Sequence, residues 1–221
     1  MSKFNHIPLE KFNTILDINR VFAADPNPKK VALAVGAYRD ENGKPWILPS
    51  VKAAEAIISA DLTKCNKEYP SQPGFPLYVK AVQSFLLGDD HPALAEKRVA
   101  TCQSLSGTGS LHSGFSFLFD HYRNHKVYVP SVTWPNHYDV IRKVYRDIPY
   151  FEYTYLFKNG SLKIDFENTL KDMEAAEDGS IFLLHACAHN PSGIDFSKDN
   201  WKAIAELFKR KGHIAFFDVA Y

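Results

Sequence analysis

Five consecutive small residues, Ser106-Gly107-Thr108-Gly109-Ser110, stand between a strand candidate and an apolar helix candidate. A loop feeding a helix N-terminus presents unpaired backbone N–H groups and the positive end of the helix dipole, which together suit an anion. Gly107 and Gly109 let a ligand approach the backbone, and Ser106 and Thr108 add hydroxyl donors. A partly buried phosphate here would gain up to ~2 kcal/mol from the dipole. The segment lacks the Gly-Lys-[Ser/Thr] of a Walker loop. It also carries His112 where a dinucleotide fingerprint needs its third glycine. A tight strand-to-helix turn would have the same sequence. Asp218 closes the mostly apolar run His213 to Phe217. A carboxylate at the C-terminal end of a buried parallel strand lies where open α/β sheets bind ligands, or else caps a following helix. Trp134, in Thr133-Trp134-Pro135-Asn136-His137-Tyr138, follows a strand candidate and is either a core plug or a platform for a planar ring. Asn190-Pro191-Ser192-Gly193 reads as a turn closing a strand.

Two histidine sets have metal-ligand spacing: His185-Ala186-Cys187-Ala188-His189, which alternates as on a strand, and His121 with His125, one helical turn apart. Neither has an acidic partner and no His-Glu-x-x-His exists, so packed or solvent-facing histidines are the better reading and no metal is expected. No Gly-x-Ser-x-Gly elbow or supported Cys–His pair starts a hydrolase reading.

The elements that would position these groups alternate. Strand candidates cover Val99–Leu105, Lys126–Pro130, Tyr150–Phe157, Ser180–Ala186 and His213–Asp218. Helix candidates cover Leu111–Tyr122, Asn136–Tyr145, Phe166–Ala175 and Asp199–Lys211. Such alternation predicts an α/β fold with a mostly parallel sheet and helices on both faces. Ser197 is an N-cap candidate for the 199–211 helix and Gly212 its stop. Upstream, the short apolar run Val31–Val35 precedes a hairpin turn at Asp40–Lys44. Helices are expected over Pro49–Leu62 and Leu77–Leu87, with a Pro- and Gly-rich loop over 69–76.

The chain has 221 residues, 45% of them hydrophobic, enough to bury one substantial core. With 26 basic and 25 acidic residues the net charge is +1, which gives no electrostatic reason for nucleic acid or an anionic membrane as partner. No apolar stretch reaches 18 residues, and residues 1–10 lack the pattern of a secretory signal. The three cysteines, Cys65, Cys102 and Cys187, are odd in number and far apart, which fits a reducing compartment and points to the cytoplasm.

Six strings, in order, resemble class I pyridoxal-phosphate-dependent aminotransferases of the aspartate type. They begin with Pro28-Lys-Lys-Val-Ala-Leu-Ala-Val-Gly36-Ala-Tyr-Arg-Asp-Glu-Asn-Gly43-Lys-Pro and Asn66-Lys-Glu-Tyr69. Gln103-Ser-Leu-Ser-Gly-Thr-Gly109 and Thr133-Trp-Pro-Asn-His137 follow. The last two are His185-Ala-Cys-Ala-His-Asn-Pro-Ser-Gly193 and Phe217-Asp-Val-Ala-Tyr221. The resemblance runs from about residue 20 to the end and implies the fold type I large domain, incomplete at the C-terminus. It divides the chain into an N-terminal arm with part of a small domain (1–45) and a large cofactor-binding domain (46–221).

The resemblance also implies roles. Ser106, Gly107 and Thr108 would hold the phosphate of pyridoxal 5'-phosphate, Trp134 would stack on its ring, and Asp218 would pair with the ring nitrogen. Asn190 and Tyr221 would hydrogen-bond its phenolic oxygen. His137 would orient Asp218 from behind. Gly36, with Trp134 and Asn190, would face the substrate, and Tyr69 would reach the phosphate of a neighbouring subunit in a homodimer. The implied reaction exchanges an amino group between L-aspartate and 2-oxoglutarate, an amino-acid and a 2-oxo-acid substrate. Departures accompany the matches: His112 replaces a common arginine, Tyr69-Pro70-Ser71-Gln72 is more polar than the family loop, and the first ~20 residues match poorly. The family's Schiff-base lysine and its substrate-clamping arginines lie in segments beyond Tyr221, so the 221-residue chain alone is expected not to transaminate. Another class I enzyme, such as an aromatic aminotransferase, and a non-catalytic module of the same fold are the alternative expectations.

Overall fold

A computed structural model describes residues 2–8, 14–34, 36–61, 63, 65, 67–123, 126–146 and 148–221. Val35, Leu62, Asn66 and His125, each named above, lie outside this set. The chain gathers into two compact units, residues 1–69 and 70–221. The first holds α1 (Thr14–Ala24) and α2 (Pro49–Ala60). The expected hairpin turn is present: Asp40 N–H donates to Lys44 O at 2.9 Å, and Arg39 bridges Pro45 antiparallel.

The second unit opens with α3 (Pro76–Leu87) and the short α4 (Pro92–Ala95). Then follow α5 (Ser106–His121), β1 (Val127–Pro130), α6 (Pro135–Tyr145), β2 (Phe151–Tyr153), α7 (Phe166–Ala175), β3 (Ile181–His185), α8 (Lys198–Lys211) and β4 (Ile214–Asp218). The four strands are all parallel, in the order β2-β1-β3-β4. The parallel α/β expectation therefore holds. β3 is buried throughout, which accounts for its unbroken apolar run in place of alternation. The succession reverses direction between β1 and β3, the crevice where open α/β sheets bind ligands.

Two cores sandwich the sheet. On one face Val127, Val129, Ile181 and Leu183 pack against Leu111 and Phe115 of α5 and Val140, Ile141 and Tyr145 of α6. On the other, Phe182 and Leu184 pack against Met173 of α7 and Ile204, Leu207 and Phe208 of α8. Successive strand residues point to opposite faces. His185, two residues beyond Leu183, and Asp218, two beyond Phe216, therefore both belong to the α5/α6 face, and they pair directly in the β3–β4 register.

Three expectations need correction. Val99–Leu105 is not a strand. Its Gln103 N–H donates to the Pro73 carbonyl at 2.7 Å, so this segment pairs with the 69–76 loop and has no place in the sheet. The small-residue segment Ser106–Ser110 is not a loop before a helix: α5 begins at Ser106, five residues earlier than the apolar pattern suggests. Gly109 N–H donates to Leu105 O at 3.1 Å and Ser110 Oγ to Ser106 O at 3.1 Å, which closes the first turn despite its two glycines. The expected strand at Tyr150–Phe157 shortens to Phe151–Tyr153, and Leu156 forms a separate bridge to Ile164.

Candidate active site

The N-terminus of α5 carries no side-chain cap and no acidic residue in its first turn. The N–H groups of Ser106, Gly107 and Thr108 have no carbonyl four residues back within the helix. All three residues are exposed. Ser106 itself has φ +60°. Asn136, at the start of α6, donates from Nδ2 to Thr108 Oγ1 at 3.0 Å, which ties two helix N-termini together. The arrangement is a ready anion site, open to solvent and backed by hydroxyls.

Asp218 ends β4 on the same face of the sheet. His137, fully buried in α6, donates from Nε2 to Asp218 Oδ2 at 2.8 Å across 81 positions of sequence. That hydrogen bond holds the Asp218 carboxyl below its ordinary range, and burial opposes it. Asp218 is thus an anchored anion with a second oxygen left to face a cationic or N–H-bearing group.

Behind this pair runs a chain of hydrogen bonds whose directions follow from the donors. The Asn190 N–H donates to His185 Nδ1 at 3.3 Å, so that nitrogen carries no proton. Burial, with help from His189 and His137, lowers His185 to a pKa of about 3 and leaves the ring neutral. Its Nε2–H therefore donates to Thr133 Oγ1 at 2.8 Å. The Thr133 hydroxyl in turn donates to His137 Nδ1 at 2.8 Å, which leaves the His137 proton on Nε2, facing Asp218. Each link assigns the next, and the tautomer that donates to Asp218 is the outcome.

His189 braces His185 from below, with ring centroids 4.3 Å apart, and stacks on Tyr155 at 3.8 Å. Its pKa falls to about 4, chiefly through burial. Asp195 holds the turn between them by accepting from Ala188 N–H at 2.8 Å and His189 N–H at 2.9 Å. Trp134 is half-buried and meets His137 edge-on at 5.5 Å. Asn190 follows the β3 turn, and Tyr221 is exposed, its carbonyl 3.7 Å from Cys187 Sγ.

Of the expected residues, Asp218 and His137 meet directly, Trp134 packs on His137, and Asn190 joins the chain through its backbone. Thr108 lies one hydrogen bond from α6. Gly36 and Tyr69 belong to the first compact unit, where both are exposed, Tyr69 at 93%. Sequence reasoning gave Thr133 and Asp195 no role, and read His185 and His189 as packed or solvent-facing histidines in preference to metal ligands. No metal-binding cluster occurs among the described residues. The available signal was parity: His185 shares its strand face with Leu183 and stands one strand away from Asp218.

The sequence profile of the family described as aminotransferase class I and II matches residues 28–221. The cytoplasmic aspartate aminotransferase of Giardia lamblia superposes with a TM-score of 0.94 at 57% identity, covering 99% of this chain and 52% of that one. An aromatic-amino-acid aminotransferase from Burkholderia pseudomallei, covalently bound to pyridoxal phosphate, superposes at 0.90 with 35% identity, covering 100% and 54%. The mitochondrial aspartate aminotransferase P2 of Lupinus angustifolius is 40% identical over 223 residues, covering 100% of this chain and 48% of its own. The chain thus spans about half the length of the relatives it matches.

Proposed function

The chain belongs to the class I and II aminotransferases, and from that premise we propose that it is the cofactor-holding part of an aspartate aminotransferase, which uses pyridoxal 5'-phosphate to move an amino group between L-aspartate and 2-oxoglutarate. The observation that carries the proposal is Asp218: a carboxylate kept ionised by His137 at the end of a parallel strand, on the sheet face that α5 covers. These features fit the two ends of the cofactor, a phosphate for the uncapped helix and a pyridine nitrogen for the carboxylate. When bound, pyridoxal phosphate supplies an electron-withdrawing ring that stabilises negative charge at the substrate Cα.

This chain's residues then have distinct tasks. Ser106, Gly107 and Thr108 bind the phosphate. Trp134 lies against the ring. Asp218 holds a proton on the ring nitrogen, and His137 keeps Asp218 charged and aimed. Asn190 and Tyr221 hydrogen-bond the phenolic oxygen. Gly36, Trp134 and Asn190 face the substrate. Tyr69 reaches the phosphate in a neighbouring subunit, so the working form is a homodimer. Residues 46–221 act as the large cofactor-binding domain and residues 1–45 as arm and part of a small domain. The cytoplasm is the proposed compartment, on the strength of free cysteines and of the Giardia relative, although the lupin relative is mitochondrial.

The test is to titrate the purified protein with pyridoxal 5'-phosphate and to follow amino transfer to 2-oxoglutarate by the protein isolated from its source. Saturable binding, with transfer from L-aspartate well above that from L-phenylalanine, is the expected result. Preference for phenylalanine would replace aspartate with an aromatic substrate, the reading that the Burkholderia relative favours. Binding without transfer would leave a non-catalytic module. A folded chain that does not bind the cofactor would overturn the proposal. Asp218→Asn, which cannot hold the ring proton as an ion pair, should lower transfer on the order of 100-fold or more.

A further inference from the structure

The two ends of the proposed cofactor site sit on different elements. The phosphate end is the first turn of α5 and the ring-nitrogen partner ends β4. Those elements meet tightly where Gly114 faces Phe216. Gly114 lies eight residues into α5 from Ser106, about 12 Å along the helix axis. Phe216 lies two residues before Asp218, about 7 Å along the strand. A β-carbon at Gly114 would lie 2.7 Å from Cε2 and 2.8 Å from Cζ of Phe216, inside any real carbon–carbon contact. The ring is also held on a second side, stacked on Phe115 at 4.3 Å with the planes 10° apart. Phe115 is fully buried and packs on Tyr145 of α6, so the ring cannot move toward it.

The helix therefore approaches the Phe216 ring as closely as a bare Cα allows, at a point about 12 Å of helix from the phosphate end and about 7 Å of strand from Asp218. Because Phe115 blocks one face of the ring, a side chain at Gly114 presses either on α5 or, through the Phe216 ring, on β4. Either movement changes the distance from the Ser106–Thr108 turn to the Asp218 carboxylate while leaving each end's own hydrogen bonds in place.

Resting on the function proposed above, we infer that Gly114 is a positioning residue whose close contact with Phe216 sets the span between the phosphate-binding turn and Asp218. A rigid cofactor that must satisfy both ends at once feels that span. A ligand that uses one end alone does not.

The experiment compares two probes on the purified protein. Pyridoxal 5'-phosphate engages both ends, and inorganic phosphate engages only the α5 turn. Gly114→Ala should weaken pyridoxal 5'-phosphate about 10-fold and leave inorganic phosphate within about 2-fold. Adding Phe216→Leu to Gly114→Ala should recover most of the loss by opening room for the new methyl group. Phe216→Trp, which overfills the same gap from the strand side, should reproduce the selective loss, and it supplies a reading should Gly114→Ala fail to fold. Equal weakening of both probes, or no weakening of pyridoxal 5'-phosphate in a folded Gly114→Ala chain, would overturn the inference. Wild-type protein that binds neither probe would instead remove the functional reading beneath it.

Discussion

At the scale of single residues, the site's chemistry depends on where protons sit. Asp218 is useful only as an anion with one oxygen occupied and one available, and His137 creates that state from Nε2. His137 is aimed by a hydroxyl, that of Thr133, which receives from His185 and gives to His137. Thr133 is buried, so a methyl in place of its hydroxyl strands two buried ring nitrogens. Thr133→Val should therefore cost roughly 1–3 kcal/mol of unfolding free energy, measured by urea denaturation, and Thr133→Ser should recover most of it because the hydroxyl returns. If Val and Ser behave alike, the hydroxyl is not what orders the chain of hydrogen bonds.

At the scale of elements, α8 shows how local signals place a wall of the core. Ser197 and Asn200 cap each other reciprocally, Asn200 N–H to Ser197 Oγ at 3.1 Å and Ser197 N–H to Asn200 Oδ1 at 3.1 Å. Gly212 then stops the helix at φ +65°. Between them Ile204, Leu207 and Phe208 recur at helical spacing and are buried against Phe182 and Leu184 of β3. Ser197→Ala should cost about 1 kcal/mol. Gly212→Ala should cost about 1–2 kcal/mol even though nothing lies within 4 Å of the added carbon, because the cost is that of a left-handed backbone. Chemical denaturation of the two variants checks both. A neutral Gly212→Ala would mean that the helix end relaxes out of its left-handed turn.

At the scale of the whole molecule, burying neutral histidines makes stability depend on pH. His185 falls to about 3 and His189 to about 4 from an ordinary 6.5, chiefly by burial, and His213 is lowered for the same cause. Below about pH 6.5 the unfolded chain takes up protons that the folded chain refuses, so unfolding free energy falls as pH falls. The slope approaches about 1.4 kcal/mol per pH unit for each fully suppressed group. Asp218, whose folded pKa is also lowered, adds a loss of the same sign only below its ordinary 3.8. Denaturation midpoints should therefore drop between pH 7 and pH 5, and His189→Gln should flatten that dependence. Equal stability at both values would mean that the two rings are not held neutral.

The amino-acid sequence by itself determined the architecture and most element positions. Apolar runs of strand length alternate with helical periodicity, and Ser197 and Gly212 mark ends that need only neighbours in the chain. It also showed Asp218, Trp134 and the Ser106–Thr108 turn as separate candidates, and the resemblance to class I aminotransferases implied that they belong to one site. Only the tertiary structure decided their partners. His137 finds Asp218 across 81 positions and Thr133 finds His185 across 52, because β3 and β4 align His185 beside Asp218 and their common parity turns both toward α6. Two of the local misreadings have the same origin. Val99–Leu105 has the composition of a strand but no strand beside it in the sheet. Ser106–Ser110 has the composition of a loop, yet its first turn closes through Leu105 and Ser106 and is joined to α6 through Asn136. Propensity is a property of a segment, whereas hydrogen-bond partners are a property of what the fold brings alongside it.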